Sequence, residues 1–586
     1  MDKIIKELES VFKNAFKNAG FATEGVVVQP CTLINLGDFQ CSAPLAMAKK
    51  CGKPPMEIAQ KVVENLCTNN IIKTAQVAKP GYINIFLSDE YLNNALSNAF
   101  NTIHEPINAE NIKTIIDYGG PNVAKPLHVG HLRSGTIGEA IKRICTFVGN
   151  PTIGDVHFGD WGLPLGMVIS ELERLHPEWV YFDTNFSGEY PQSPPFTAAD
   201  IETLYPTASK NAKADEDLMK KAQLATVALQ EGRRGYIALW QHIMTVSKAD
   251  VKKLYSILNI DFELWLGESD TQKNCPALIK QIVEGGHAQK SQGALVIDVA
   301  ESTDKIEVPP FMLQKSDGGI TYATTDLATL TDREQNLNAR RVVYVVDKRQ
   351  DLHFTQVFRA ARKTGVVSND LQLYFAGFGT MNGKDGKPYK TRDGGVMQLK
   401  VLIEEVRAAA VKKIEETKGL NISYSPEEMA DIAEKVAVSA LKFADLSIFR
   451  TKDYIFDVEK FCSFEGKTGP YILYTITRAK SILRKAKFAP ISILPNLTNH
   501  ISREFLFTLL AFKSEVLKAH QDFAPSVLCD YVYRLANQFN SFYNSCNIIS
   551  EPNQTKQLAW LNFTYFTLLT LEKCFNLLGI KTLEKM

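Results

Sequence analysis

This sequence of 586 residues lacks several features that would direct it to other kinds of function. Its ten cysteines are scattered and form no C-x-x-C pair, which argues against a zinc ribbon and for reduced thiols. A G-x-G-x-x-G motif is missing, so hydride transfer from a dinucleotide loses its usual sequence support. The longest uncharged apolar run, Gln557 to Leu571, is shorter than the roughly 20 residues of a membrane helix. We therefore expect a protein without zinc and without a membrane span.

The charge of the chain is nearly balanced, with a formal net charge of +1. From Asp457 to the end, Lys and Arg outnumber Asp and Glu, which is consistent with a nucleic acid bound there, although a solvated face is the commoner cause. The first segment, Met1 to Lys13, has acidic residues among its basic ones and apolar residues at helical spacing. It is therefore predicted to be a structural helix and not a signal or transit segment, and we expect a cytoplasmic protein.

The length of the chain predicts about three or four domains, because a single hydrophobic core does not grow to this size. Residues 1–108 are predicted to form an α+β domain. Residues 109–400 alternate strand and helix patterns, which is typical of a doubly wound parallel sheet of the Rossmann-like kind, with a polar helical insertion at about 180–265. A helical stem at 401–456 and an all-α bundle at 457–586 follow. The strands predicted for the parallel sheet are Thr114–Tyr118, Thr152–Phe158, Ala294–Asp298, Arg341–Val346 and Leu371–Gly377.

The segment Pro121 to Arg133, which reads P-N-V-A-K-P-L-H-V-G-H-L-R, joins a predicted strand to a predicted helix. At such a turn the start of the helix presents unpaired N–H groups and the positive end of its dipole. Both favour an anion, and phosphate in particular. The segment therefore outlines a nucleotide site, although a strand, a loop and a helix occur in any α/β protein.

Four residues of this segment add to the phosphate interpretation. Lys125, His128 and His131 supply donors, and the two histidines are three residues apart, so one helical turn brings both to the same side. Gly130 between them leaves the backbone bare where a flat ring could lie. By itself H-x-G-H is a weak signal.

Two further stretches suggest charged ligands. Tyr322 and Asp326 are four residues apart, hence on one side if helical, and a carboxylate beside an aromatic ring suits a planar cation such as guanidinium. The glycine-rich, basic segment Gly379 to Gly395 is predicted to be a mobile flap that could meet the charge of a developing pyrophosphate. A surface helix and a solvated loop are the respective alternatives.

These motifs together resemble the class I aminoacyl-tRNA synthetases, whose signature is H-x-G-H. The flanks D-Y-G-G-P-N-V-A-K-P-L-H-V-G-H-L-R-S are similar to arginyl-tRNA synthetases of the bacterial type. K-P-G-Y-I-N-I-F-L resembles their N-terminal domain, and Y-V-Y-R-L-A-N-Q-F-N-S-F-Y resembles their anticodon-binding domain. Two departures stand out: K-P-Y-K-T-R replaces the K-M-S-K-S of the class, and Gly119 and Gly120 stand where many members have serines.

The resemblance implies ATP-dependent ligation of L-arginine to tRNA(Arg) through an arginyl-adenylate, with activation that waits for bound tRNA. It also implies Mg²⁺ as Mg-ATP, no resident metal, a monomer, and contact of the N-terminal domain with the elbow of the tRNA. Catalysis is expected from His128, His131, Lys125 and Lys390, and ATP binding from Gly130, His128, His131 and Lys390. Weaker candidates in the flap are Lys387 and Arg392. The substrate arginine is expected to meet Asn122, Tyr322, Asp326, Gln350, Asp117 and His353.

Two other functions remain open at this point. Another class I synthetase, such as the cysteinyl or glutamyl type, would share H-x-G-H and the sheet, although the missing zinc-ligand spacing disfavours the first and the acidic Tyr322–Asp326 pair the second. A tRNA-binding relative that has lost catalysis is disfavoured because His128, His131 and Lys390 are intact.

Overall fold

The structure, a computed structural model, describes residues 1–33, 35–67, 69–389, 397–417, 424–490 and 496–586. An N-terminal α+β region is followed by a central region built on a parallel sheet and by a C-terminal helical region. The fold class predicted from the sequence is therefore confirmed. Within the described ranges, none of the helices combines the length and the apolar character that crossing a bilayer requires.

The N-terminal region is a four-stranded antiparallel sheet covered by helices. Its elements are α1 (Asp2–Asn18), β1 (Val28–Pro30), β2 (Phe39–Cys41), α2 (Ala43–Cys51), α3 (Pro55–Glu64), β3 (Ile72–Ala78), β4 (Tyr82–Leu87) and α4 (Asp89–Asn101). The strand order is β1-β2-β4-β3. Ile4, Leu8 and Phe12 follow one another at a spacing of four on α1 and are all buried, so that face of the helix packs into the core.

The central region begins at the strand before the histidine motif. Its elements are β5 (Thr114–Tyr118), α5 (Val129–Val148), β6 (Thr152–Asp155), α6 (Leu163–Leu175), α7 (Ala198–Ala214), α8 (Glu216–Gln230), α9 (Arg234–Ile257), α10 (Glu268–Gln272), α11 (Cys275–Glu284), β7 (Gln289–Ser291), β8 (Ala294–Ile297), β9 (Phe311–Gln314), α12 (Tyr322–Gln335), β10 (Arg341–Val345), α13 (Asp351–Lys363), β11 (Gln372–Phe375) and β12 (Met381–Asn382). A short 3-10 helix, Lys348–Gln350, lies between β10 and α13.

The main sheet has the strand order β11-β10-β5-β6, and its neighbouring strands are all parallel. Every residue of β5 and β10 is buried, as expected for parallel strands covered on both faces. From β5 the chain crosses to β6 on one side, and from β10 it crosses to β11 on the other. The crossover direction therefore changes between β5 and β10, which is where such a sheet opens a crevice for ligands.

One strand predicted for the parallel sheet lies elsewhere. The segment Ala294–Asp298 does form a strand, β8, but β8 belongs to a separate antiparallel sheet with the order β7-β8-β9. A short apolar run indicates a strand without indicating its partners, so the sheet assignment was wrong. Helices α7, α8 and α9 form a polar insertion that packs on α6.

The C-terminal region is helical. Its elements are α14 (Leu399–Thr417), α15 (Pro426–Leu446), β13 (Tyr454–Ile455), α16 (Val458–Phe461), α17 (Gly469–Lys485), α18 (Arg503–Leu510), α19 (Phe512–Gln521), α20 (Pro525–Ser545) and α21 (Gln554–Leu577). Arg503 of α18 donates to Asp38 at 2.6 Å and to Asp89 at 2.7 Å, both in the N-terminal region. The buried ammonium of Lys442 on α15 donates at 2.8 Å to the carbonyls of Leu258 and Gly579. These contacts join the C-terminal helices to both other regions.

Helix α5 connects the sheet to the C-terminal helices. A Cβ atom at Gly138 would lie 2.2 Å from Cγ of Tyr118, so glycine lets the helix lie directly on β5. Arg133 is 1% exposed, and its Nε lies 2.7 Å from Oδ1 of Asp445 on α15. The helix that begins at the histidine motif is therefore fixed between the main sheet and α15.

Candidate active site

A cleft of about 880 Å³ opens at the carboxyl ends of β5 and β10. Its walls come from the loop and helix start at 117–134, the beginning of α12, the turn at 346–354 and the segment 378–389. A second cavity of about 490 Å³ lies between the N-terminal helices and α18–α19 and is lined mainly by apolar side chains. The cleft has the titratable groups and the helix start that phosphate chemistry requires, so we take it as the candidate active site.

The two histidines of the motif form a capping arrangement at the start of α5. The Gly130 N–H donates to Nδ1 of His128 at 3.1 Å, and the His128 N–H donates to Nδ1 of His131 at 3.0 Å. As the three-residue spacing predicts, the rings lie together, with centroids 3.9 Å apart. Since each Nδ1 accepts a hydrogen bond, each neutral ring has its proton on Nε2.

The protonation state of these histidines follows from their surroundings. Burial lowers the pKa of His128, and the positive charges of Lys125 and Arg349 lower it further. Burial, His128 and Lys125 hold the pKa of His131 well below its usual value. Both imidazoles are therefore neutral at pH 7 and offer one Nε2–H donor each beside the positive end of the α5 dipole.

The histidine motif is hydrogen-bonded to the residues that follow the glycine-rich segment. The Val129 N–H donates to the Met397 carbonyl at 3.2 Å, and the Leu399 N–H donates to the Leu127 carbonyl at 2.8 Å. Two predicted residues, Lys390 and Arg392, lie outside the described residues. Lys387 is exposed and is not among the described residues that line the cleft.

The predicted cation pocket is a second group of side chains in the same cleft. Thr321 caps the start of α12 by accepting the Thr324 N–H, which places Tyr322 on the first turn and Asp326 one turn later. Oδ2 of Asp326 lies 2.6 Å from Nε2 of His353, and the rings of Tyr322 and His353 are 4.9 Å apart. The structure thus brings these three predicted residues together.

Glu268, the first residue of α10, faces the same pocket and belongs to no recognised sequence motif. Burial and the charge of Asp326 raise the pKa of Glu268 to about 7. A carboxylate whose pKa is raised by a neighbouring carboxylate becomes more stable when a cation binds between them. Sequence analysis missed Glu268 because it meets Asp326 only through the fold.

The first loop also lines the cleft through Asn122, and the 3-10 helix does so through Gln350. Gly119 has a φ of +73°, a conformation that L side chains rarely adopt. A Cβ atom at Gly120 would lie only 2.1 Å from the carbonyl oxygen of His157. In this chain the backbone of the loop therefore disfavours a side chain at both positions, so a serine would be strained at either one.

Asp117 lines the cleft, but its carboxylate has another partner. The guanidinium of Arg333 donates to Oδ2 of Asp117 at 2.6 Å and to Oδ2 of Asp155 at 2.7 Å. Arg333 is 1% exposed. Arg333 thus binds one oxygen of Asp117, and the expected contact of Asp117 with substrate arginine stays a prediction.

Asp117, Asp155 and His157 also have ligand atoms within 4.8 Å of one another, a grouping that could hold a metal ion. Arg333 donates to both of these carboxylates, so an ion there would have to displace a buried guanidinium. We therefore interpret the cluster as an ion-pair network in the wall of the cleft, which Asp117 and His157 line.

Lys125 turns towards the insertion. Its ammonium lies 4.8 Å from the centroid of the Tyr205 ring on α7, and Lys125 is not among the described residues lining the cleft. Its charge nevertheless helps to lower the pKa of both histidines. The charge of Lys125 therefore reaches His128 and His131 while its side chain contacts the insertion.

Arg349 is the other residue that sequence analysis missed. It lines the cleft, its side chain is 78% exposed, and its guanidinium is paired with Asp347 at 2.6 Å. It directly precedes Gln350 in the loop after β10, so its position after a strand of the sheet was a usable signal. Arg349 places a positive charge at the rim near His128.

His157 should make the stability of the protein depend on pH. Burial lowers the pKa of His157, but Asp155, 3.6 Å away, and Asp117 outweigh burial and raise it to about 9. The stabilisation from the charged ring is fully present below the unfolded pKa of about 6.5 and is lost as the pH rises through about 9. The free energy of unfolding of His157→Gln should thus be lower than that of wild type by on the order of 1–3 kcal/mol at pH 6.5. At pH 9.5, where the wild-type ring is mostly neutral, the difference should nearly vanish. Urea denaturation at both pH values measures the difference, and a pH-independent difference would contradict the assignment.

Comparison with known proteins adds three family matches. The model described as "Arginyl tRNA synthetase N terminal domain" matches residues 3–87, "tRNA synthetases class I (R), catalytic domain" matches 91–458, and "DALR anticodon binding domain" matches 472–586. Among curated relatives, an arginine–tRNA ligase of Alkaliphilus oremlandii is 46% identical and one of Agathobacter rectalis is 44% identical, each over 100% of both chains.

Two solved structures have the same fold. The arginyl-tRNA synthetase of Plasmodium falciparum superposes with a TM-score of 0.79 at 27% identity, covering 100% of this chain and 99% of that chain. The arginyl-tRNA synthetase of Thermus thermophilus also has a TM-score of 0.79, at 24% identity, covering 99% of this chain and 100% of that chain. The similarity thus extends over the full length of the chain.

Proposed function

The chain belongs to the arginyl-tRNA synthetases of class I and ligates arginine to tRNA, and from this premise we propose which of its residues act in each step. The observation that supports the proposal most directly is that one cleft contains two chemically different groups. Neutral histidine donors and the start of α5 form one group, which we call the phosphate end, and the Asp326 and Glu268 carboxylates form the other. An anion and a cation can therefore bind side by side.

In the first step, a carboxylate oxygen of arginine attacks the α-phosphorus of ATP, and the bond between that phosphorus and the bridging oxygen of pyrophosphate breaks. The product is an arginyl-adenylate. His128 and His131 donate their Nε2–H groups to phosphate oxygens as charge moves onto the leaving pyrophosphate. Gly130 leaves room for the nucleotide against the helix start, where a Cβ atom would lie 2.9 Å from Cε1 of His128.

Cations complete the phosphate end. Lys125 and Lys390 neutralise the phosphates, and Arg349 binds the phosphate chain from the rim, exchanging its pairing with Asp347 for a bidentate contact. ATP enters as its magnesium complex. Because the protein groups at this end are nitrogen donors while Mg²⁺ prefers oxygen ligands, phosphate oxygens and water are expected to hold the ion.

At the other group, the guanidinium of the substrate lies between Asp326 and Glu268. A carboxylate can accept two parallel N–H bonds from guanidinium, and Tyr322 offers a ring face. His353 orients Asp326 through their 2.6 Å contact. Asn122 and Gln350 bind the amino acid backbone of the substrate. Asp117 also holds Arg333 and thereby the wall of the cleft.

In the second step, the 2′-hydroxyl of the terminal adenosine of tRNA attacks the adenylate carbonyl, and AMP leaves. For the domains we propose residues 1–108 as the tRNA elbow domain, 109–400 as the catalytic domain with its insertion at about 180–265, 401–456 as the stem, and 457–586 as the anticodon-binding domain. The full-length similarity supports this division. We further propose a monomer that acts in the cytoplasm.

The two alternative functions are not favoured. Curated relatives that match the whole chain are arginine–tRNA ligases, which disfavours a cysteinyl or glutamyl specificity. A relative that had lost catalysis would have no use for the paired imidazole donors and the carboxylate pair in one cleft.

Exchange of radiolabelled pyrophosphate into ATP tests the proposal. Among the standard amino acids, arginine alone should support exchange, and it should do so only after cognate tRNA is added. Exchange with another amino acid would overturn the pocket assignment. Tight tRNA binding without any exchange would favour the relative that has lost catalysis.

A further inference from the structure

The loop that bears Lys125 and the helical insertion meet at a narrow seam. The loop residues 121–126 and Phe158 form one side, and residues from the start of α7 and the middle of α9 form the other. The gap enclosed between them is about 20 Å³, so the two sides are almost in contact. The insertion is therefore in a position to affect the loop directly.

On the loop side, the backbone determines where Lys125 points. The Lys125 N–H donates to the Asn122 carbonyl at 3.3 Å, which closes a turn. Ala124 within this turn has a φ of +66° and is 4% exposed, so the turn is held by its surroundings. The side chain of Lys125 leaves this turn towards α7.

On the insertion side, the beginning of α7 holds Tyr205 in place. Thr197 and Asp200 cap the helix reciprocally, which defines its first turn. Ile201 is 3% exposed and anchors that turn in the seam. Tyr205 is four residues further on and hence on the same face as Ile201. Its ring centroid lies 4.8 Å from the Lys125 ammonium.

An aromatic ring can hold a lysine in place and still leave it able to bind phosphate. A ring face attracts an ammonium but has no net charge, so the lysine keeps its full positive charge. A carboxylate would attract the ammonium more strongly and would cancel its charge, and Glu202 lies in the same seam. The contact with the ring therefore holds the ammonium, whose charge acts on both histidines, without neutralising it.

We propose that Tyr205 is a positioning residue, which holds the Lys125 ammonium at the seam and so sets how effectively Lys125 meets the phosphates. The insertion thereby contributes to activation through a single aromatic contact with the catalytic loop. The inference rests on the proposed role of Lys125 in binding the phosphates. It adds that Tyr205 affects the rate of activation, and that it does so only through Lys125.

Replacing Tyr205 by Leu and by Phe, each with and without Lys125→Ala, tests the proposal. Pyrophosphate exchange is measured with arginine, tRNA and saturating ATP. Tyr205→Leu should lower kcat about tenfold with little change in the KM for arginine, because an apolar side chain does not attract the ammonium. Tyr205→Phe retains the ring and should stay within about twofold of wild type. In the Lys125→Ala background, Tyr205→Leu should cause no further loss.

A matched control is Tyr190→Leu, another tyrosine of the insertion, whose ring stacks on Tyr181 at 5.4 Å. This control should leave kcat unchanged. The proposal is overturned if Tyr205→Leu has no effect or raises kcat, if Tyr205→Phe loses as much as Tyr205→Leu, or if the loss persists undiminished without Lys125. An unchanged kcat in Lys125→Ala alone would instead overturn the proposed role of Lys125, which is thus tested separately.

Discussion

Replacing Asp326 by Asn is expected to lower kcat/KM for arginine in pyrophosphate exchange by a factor on the order of 10³. Asp326 accepts from His353 at 2.6 Å and lines the cleft together with Glu268. An amide has one acceptor and no charge, so it cannot take two parallel guanidinium N–H bonds. The loss then corresponds to about 4 kcal/mol, as is usual when one partner of a desolvated charge pair is removed.

The control for this substitution is Asp332→Asn on the same helix, where Asp332 accepts from Asn336 and is not among the described residues lining the cleft. It should leave exchange unchanged. Binding of tRNA, measured by filter retention, should be the same for wild type and both variants. If Asp326→Asn weakened tRNA binding as much as arginine activation, its assignment to the guanidinium pocket would be wrong.

His131→Ala is expected to have the second largest effect, a loss of about 10² to 10³ in kcat. Removal of one preorganised donor to a developing anion typically costs this much. His131 supplies such a donor at Nε2, and its Nδ1 also accepts the His128 N–H at 3.0 Å. The alanine variant loses both functions, so it affects the geometry of His128 as well.

Two conservative substitutions separate these functions. In His131→Asn the side-chain oxygen can replace Nδ1 as the acceptor for His128 but cannot reach the position of Nε2. This variant should keep the melting temperature of wild type and still lose most of kcat. His131→Gln, whose amide N–H can approach the Nε2 position, should recover part of kcat. Equal kcat in all three variants would exclude a donor role for Nε2.

Arg349→Gln gives a comparison within the same cleft. Arg349 is exposed at the rim and pairs with Asp347, so its loss should mainly raise the KM for ATP, by about tenfold, in the same exchange assay. The KM for arginine should not change. An unchanged KM for ATP would remove Arg349 from the phosphate end.

Local patterns were sufficient for part of this site. The turn before α5 and the pairing of His128 with His131 follow from interactions between residues two or three positions apart. The same holds for Tyr322 and Asp326, which one helical turn places together. Such contacts depend on backbone geometry that the sequence pattern reports directly.

Other site residues depended on partners that no local pattern reveals. Asp117 lines the cleft, and its pairing with Arg333, 216 residues away, appears in no local pattern. Glu268 has no motif and acquires its raised pKa only from burial beside Asp326. The sequence predicts Lys125 as a phosphate ligand, and in the structure its ammonium contacts the ring of Tyr205 in the insertion. The strand β8 was recognised but assigned to the wrong sheet.

By itself, the sequence determined the class of the fold and the capped helix start at His128 and His131, because strand and helix periods and helix capping are local consequences of residue order, and its resemblance to a known family implied the kind of reaction. Only the tertiary structure decided which carboxylates lie together in the cleft, which one pairs with an internal arginine, and where Lys125 points. These choices depend on burial and on charges that distant segments bring together, and the free energy of a buried charge is set by those neighbours and not by its position in the chain.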